Sequence, residues 1–176
     1  METVIMEVGV AGATTARIAE KSGWTRGHVR HYLGNKDDQL RALVEALTDR
    51  YAPDLQRHVD EAELGSKRLA VYDTLFGDAW QDGAVRDNVV FDQLIAYETA
   101  NPRSDGPIRG MYQAIAKTVA DALLQECPDL APNVAYETGF AVVSFAYGAA
   151  TMAALGWRCR AATDATARQL LLLAAE

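Results

Sequence analysis

Residues 14–40 read TTARIAEKSGWTRGHVRHYLGNKDDQL, and the fold is decided here. Thr14 or Thr15 caps a short helix running through Lys21, and Ser22-Gly23-Trp24 makes a turn in which Gly23 supplies the residue tolerant of positive φ. Thr25 caps a second helix that reaches Leu33. Gly34 ends it, and Asn35 caps a further helix opening Lys36-Asp37-Asp38, with acid where a helix N-terminus favours it. Two short helices that cross closely need a small residue at the crossing, which Ala19 supplies. Ile18, Trp24 and Val29, with Tyr32 or Leu33, are expected to tie both helices to a core. The second helix then shows an outward polar and basic face of Arg26, His28, Arg30 and His31, and Gly27 lets another backbone come close. Helix N-termini at Thr14/Thr15, Thr25 and Lys36 carry N–H groups suited to phosphate oxygens. This is the pattern of a helix-turn-helix.

The charge distribution supports that reading. The 176 residues carry 17 Lys+Arg and 24 Asp+Glu, a formal net charge of −7. Yet between residues 15 and 36, Arg17, Lys21, Arg26, Arg30 and Lys36 face Glu20 alone. A short basic segment on an acidic body points to a polyanion contact made by one part of the molecule, where composition alone would suggest a solvated helical face.

The rest of the chain has helical periodicity and no strand pattern. Residues 2–8 form helical turns ending at Gly9, and the helix from Lys36 is expected to run to about residue 52, bend or break at Pro53, and resume to Leu64. Gly65-Ser66 starts a helix with Leu69, Tyr72, Leu75, Phe76, Ala79 and Trp80 on one face, and another spans residues 84–99. Residues 101–107 are a loop. Ile108, Met111, Tyr112, Ile115, Val119 and Leu123 then recur at helical spacing up to Pro128. A long helix covers residues 132–155, and Thr163 or Asp164 caps a last one that ends in the leucines at 170–173. About nine helices make an all-α fold.

Residues 138–157 hold no charge, but their many alanines and glycines suit close helix packing in water better than a lipid span. The opening Met-Glu-Thr lacks a basic leader region, so no signal peptide is expected. Cys127 and Cys159 match no zinc or redox spacing, consistent with a reduced cytoplasm. A His28-x-x-His31 pair shares a helix face but has no third ligand nearby, so no metal and no cofactor is expected. The chain lacks the Gly-x-Ser-x-Gly, phosphate-loop and His-Glu-x-x-His motifs, which argues against an enzyme. Gly9-Val10-Ala11-Gly12-Ala13-Thr14 has a nucleotide-loop look without the third glycine, and reads better as a link between two helices.

The run from Ile18 to Leu40 resembles the DNA-binding signature of TetR-family transcriptional regulators, most closely the subgroup of choline-responsive repressors of betaine synthesis, where a His-Tyr pair precedes the last apolar residue of the recognition helix. The close match covers about residues 14–44, with weaker agreement elsewhere in length and helix order. The resemblance implies a three-helix DNA-reading domain at 1–35 and an effector-binding, dimerising domain at 36–176. It implies DNA contact by Thr14, Thr15, Thr25, Arg26, Gly27, His28, Arg30, His31, Tyr32 and Lys36. Three departures stand out. Helix 1 looks truncated ahead of Thr3, Trp24 replaces a smaller aliphatic residue, and Arg30 replaces a frequent tyrosine.

The expected function is a cytoplasmic, sequence-specific regulator: a homodimeric repressor released from double-stranded DNA by a small-molecule effector. Aromatic residues and Met can line an apolar cavity, so Phe76, Trp80, Phe91, Tyr97, Met111, Tyr112 and Phe140 are candidate effector contacts, against the plainer reading of ordinary core. The uncharged stretch and the leucine run are too apolar for a monomer surface. Tyr136, Phe140, Val143, Tyr147, Thr151, Ala154, Leu170 and Leu173 are therefore expected at a dimer interface. The competing reading is a ligand-binding helical dimer whose DNA-reading head has decayed.

Overall fold

The computed structural model describes residues 1–101 and 106–173, with the side chains of 79–81, 84–86 and 173 outside that description. Among the described residues it holds nine helices and no strand: α1 (Glu2–Gly12), α2 (Thr15–Ser22), α3 (Arg26–Leu33), α4 (Lys36–Glu61), α5 (Lys67–Phe76), α6 (Asp78–Ala100), α7 (Pro107–Glu126), α8 (Pro132–Ala154) and α9 (Arg160–Leu173). The fold is all-α, as the periodicity requires. None of the described helices is long and apolar enough to cross a membrane.

Several elements differ from the sequence reading. α4 runs unbroken through Pro53. A proline there removes one backbone donor, but Asp49, whose carbonyl loses its partner, is exposed, so water can take its place. α5 stops at Phe76 and α6 starts at Asp78, which puts Ala79 and Trp80 in α6 by position. Gly77 takes the turn between them, and a Cβ there would meet the Asp73 carbonyl. α9 begins at Arg160, before the expected caps, and the Thr163 amide already donates to the Cys159 carbonyl. Of the expected loop, residues 102–105 lie outside the described residues.

The chain packs as two compact units. One takes Met1–Asp49 and Val89–Gly110, the other Arg50–Asn88 and Met111–Glu176. In the first, Val4, Ile5, Leu40, Val44, Leu47 and Leu94 are buried. In the second, α8 turns Ala135, Gly139, Val142, Ala146 and Ala150 inward. Gly139 lies so close to α7 that an added Cβ would clash with the Ala116 carbonyl oxygen. Ala135, Gly139, Ala146 and Ala150 thus serve packing inside the chain.

Candidate nucleic-acid interface

The reading head is built from local signals. Thr14 caps α2, its hydroxyl oxygen accepting from the Arg17 amide, and Thr25 caps α3 by accepting from the His28 amide at 3.2 Å. Gly23 adopts φ 73°, in the left-handed region, so the chain can reverse between the two helices. Ile18, Ala19 and Val29 form the buried cluster beneath them, with Met1 and Leu33 packed against it. At the start of α4, Asn35 Oδ1 accepts from the Asp37 and Asp38 amides, and Asp38 returns a carboxylate oxygen to the Asn35 amide at 2.9 Å. This reciprocal cap fixes where α3 ends and α4 begins.

The face turned outward is cationic and aromatic. Arg26, His28, Arg30 and His31 are all exposed on α3. Trp24 is corrected by the structure: it is 52% exposed and does not tie the helices to the core. Its ring lies edge-on to His28 and Tyr32, with centroids 6.3 and 5.8 Å apart, and His31 meets Tyr32 at 4.9 Å. Tyr32 is 68% exposed, which leaves Leu33 as the aliphatic tie. Gly27 has open space where a Cβ would be, with nothing nearer than Thr25 Oγ1 at 3.8 Å. The fold does not demand glycine there; its absence of a side chain keeps the surface low.

Lys36 is placed differently from a phosphate ligand. Its ammonium donates to the Val10 and Ala13 carbonyls, closing the C-terminal end of α1, and burial lowers its pKa from the ordinary lysine value. Thr15 stands beside Gln39, whose amide donates to Thr15 Oγ1 and to the Gly34 carbonyl at 2.9 Å. Gln39 is buried and thereby joins α2, α4 and the end of α3. Sequence reasoning missed it, since a glutamine after two aspartates looks like surface. Gln93 was missed for a similar reason. Gly9 interrupts α1 with φ 70° and ψ 170°, and the Gln93 side-chain oxygen of α6 accepts from the Val10 amide there at 3.4 Å.

The expected effector residues fall in both units. Phe91 is buried in the first unit, where the Tyr97 hydroxyl donates to Asp37 at 2.7 Å; that bond first, then burial, raises the Tyr97 pKa. In the second unit Met111 is buried and the Tyr112 ring meets Tyr147 edge-on at 5.9 Å. Phe76 stacks on Tyr72, meets Phe145 at a tilt and lines a cavity of about 410 Å³. Phe140 is 66% exposed on α8 and does not line it. The Trp80 side chain lies outside the described residues. Among the expected interface residues, Tyr136, Phe140 and Ala154 are exposed, Tyr147, Thr151 and Leu170 half-buried, and Val143 already buried in its own chain; the Leu173 side chain is outside the description.

No family model matches the chain. Over 43 residues it is 46% identical to the HTH-type transcriptional regulator BetI of Stenotrophomonas maltophilia (strain R551-3), a stretch covering 24% of this chain and 22% of that protein. The chain is thus similar, over about a quarter of its length, to a protein named as a helix-turn-helix transcriptional regulator.

Proposed function

We propose that this protein is a sequence-specific DNA-binding transcriptional regulator of the TetR type, a cytoplasmic homodimer that represses and is released from its operator by a small molecule. The observation that carries the reading is the exposed face of α3, where Arg26, His28, Arg30 and His31 stand over a helix pair fixed by two threonine caps and a buried aliphatic cluster. The stretch shared with an HTH-type regulator supports it. Residues 1–35 read DNA in this account, and 36–176 bind effector and partner.

Two α3 helices enter successive major grooves of a near-palindromic site, roughly 34–36 Å apart. Arg26 and Arg30 donate to guanine edges or to phosphates, His28 and His31 to either, and the α2 and α3 N-termini position the backbone. Exposed apolar residues on the last two helices, Tyr136, Phe140 and Leu172 among them, with Leu155 just after α8, support a partner copy there. A ligand releases DNA by favouring the conformation whose recognition helices are wrongly spaced.

The test is selection of genomic fragments by the full-length protein, followed by footprinting on the selected site. Arg30→Ala is expected to cost about 1–3 kcal/mol and to relax preference at particular base pairs. Finding no sequence-specific binding overturns the proposal and favours the ligand-binding dimer with a decayed head.

A further inference from the structure

Two of the chain's three histidines stand on α3, and both are exposed. His28 and His31 share a face of the helix. Each ring has an aromatic neighbour edge-on to it, Trp24 for His28 and Tyr32 for His31. Gly27 leaves open space where a side chain would stand, so a phosphate backbone can come close to both rings.

Ring contacts fix position but supply no counter-charge. Cations elsewhere are engaged: Arg50 with Asp87, Arg68 with Glu126, Lys117 with Asp121. Among the described residues, no hydrogen bond or ion pair holds either imidazole or the guanidiniums of Arg26 and Arg30. The elements beside α3 add no anion to it. On α2, Arg17 donates to the Gly12 carbonyl, Lys21 pairs with Glu7 of α1, and Glu20 is exposed without a bond to an α3 side chain. At the start of α4, Lys36 donates to carbonyls, Asp37 accepts from Tyr97, and Asp38 accepts from the Asn35 amide. In a chain with more acids than bases, α3 carries cations and imidazoles and no acid of its own.

Histidine is the side chain whose charge ordinarily changes between about pH 5 and 8, and a nearby anion favours its charged form. The free head holds no carboxylate against either ring, whereas a duplex brings phosphate oxygens. We propose that His28 and His31 meet duplex phosphates as imidazolium ions, so that binding takes up protons and affinity for DNA rises as the pH falls. The inference deepens the regulator reading above and rests on it for the operator; the proton coupling itself needs only a duplex.

The test measures the affinity of the full chain for its selected operator, and for a random-sequence duplex at low salt, from about pH 6 to about pH 8 at one ionic strength. Affinity is expected to be at least about tenfold higher at the acid end, the size of a one-unit preference for the charged ring. Calorimetry in buffers of different ionisation enthalpy is expected to show about one proton taken up per bound head near neutrality. Replacing both residues, His28→Gln with His31→Gln, keeps a hydrogen-bonding amide at each place without a charge and is expected to flatten the change to less than about twofold. His58→Gln is the control: His58 is on α4, where its ring meets the Thr74 hydroxyl at 3.0 Å, and the pH slope should survive its loss. Each single α3 variant is expected to lose about half of the slope, and these carry the test should the double variant fail to melt cooperatively.

Equal affinity at both ends of the range overturns the proposal and leaves the rings as neutral donors. So does a slope that persists in the folded double variant, which would give the proton to another group, the amine of Met1 beneath α3 among them. Absence of a selected operator removes the regulator reading alone, and the pH slope on the random-sequence duplex then decides the coupling. Failure to bind any duplex overturns both.

Discussion

The ammonium of Lys36, first residue of α4, donates to the Val10 carbonyl in the last turn of α1 at 2.7 Å. With a second bond to the Ala13 carbonyl, the lysine reinforces a helix end where the Ala13 amide already donates to Val10. Lys36→Ala is therefore expected to lower stability by about 2 kcal/mol, the order of a charge-assisted hydrogen-bond pair. The slope of DNA affinity against salt should stay close to that of the unaltered protein. Thermal melting and a salt titration of the same variant check both, and an unchanged melting temperature with a flattened slope would return Lys36 to the phosphate ligands.

Trp24 acts on its neighbours more than on the core. Half exposed, it costs little when removed: Trp24→Ala should change stability by less than about 1 kcal/mol. It does release the His28 and Tyr32 rings, which it meets edge-on. In the regulator reading, operator affinity then falls while melting barely moves. A melting temperature that drops in proportion to affinity would show instead that the indole is part of the fold.

Tyr51 tests the second unit. Its hydroxyl donates to the buried Asp87, which also pairs with Arg50 at 2.8 Å. Burial first, then the Asp87 hydrogen bond and charge, push the Tyr51 pKa up to about 12 from 10.0, with Arg50 opposing. The folded value lies above the unfolded one, so this contribution to stability is complete below about pH 10 and is lost as pH rises through about 12. Tyr51→Phe should cost about 1–3 kcal/mol at neutral pH. The gap between the two proteins should narrow above pH 10 in denaturant melts, and a gap constant with pH would sink the assignment.

Gly139→Ala adds one methyl where α8 presses on α7. The nearest atom is the Ala116 carbonyl oxygen, part of the backbone, so the helices must separate. A loss of about 1–3 kcal/mol is expected, although alanine is the better helix former. Gly148→Ala, on the same helix with nothing within 4 Å of the added atom, is the control and should be neutral or stabilising.

Phe140→Glu addresses the partner copy. The ring is exposed on α8, so the change should leave melting of the isolated chain almost untouched while light scattering shows the dimer mass reduced to that of a monomer at micromolar concentration. A dimer that persists, or an unaltered chain that is monomeric, removes the proposed interface.

Sequence by itself determined the elements whose signals act over three or four residues. The caps at Thr14, Thr25 and Asn35, the left-handed turn at Gly23 and the small Ala19 beneath the crossing were all legible, because each rests on a backbone group meeting a side chain close by. Tertiary structure alone decided which face a side chain turns and what it meets far along the chain. The lysine beside a basic helix caps α1, Trp24 lies outside the core, and α4 continues through Pro53. It also put Asp164 on a cavity wall inside α9, where the sequence offered it as a cap. Polarity and helical period constrain a residue's own turn. A partner 26 positions away, as Val10 is from Lys36, is set by packing of the whole unit, which no local pattern encodes.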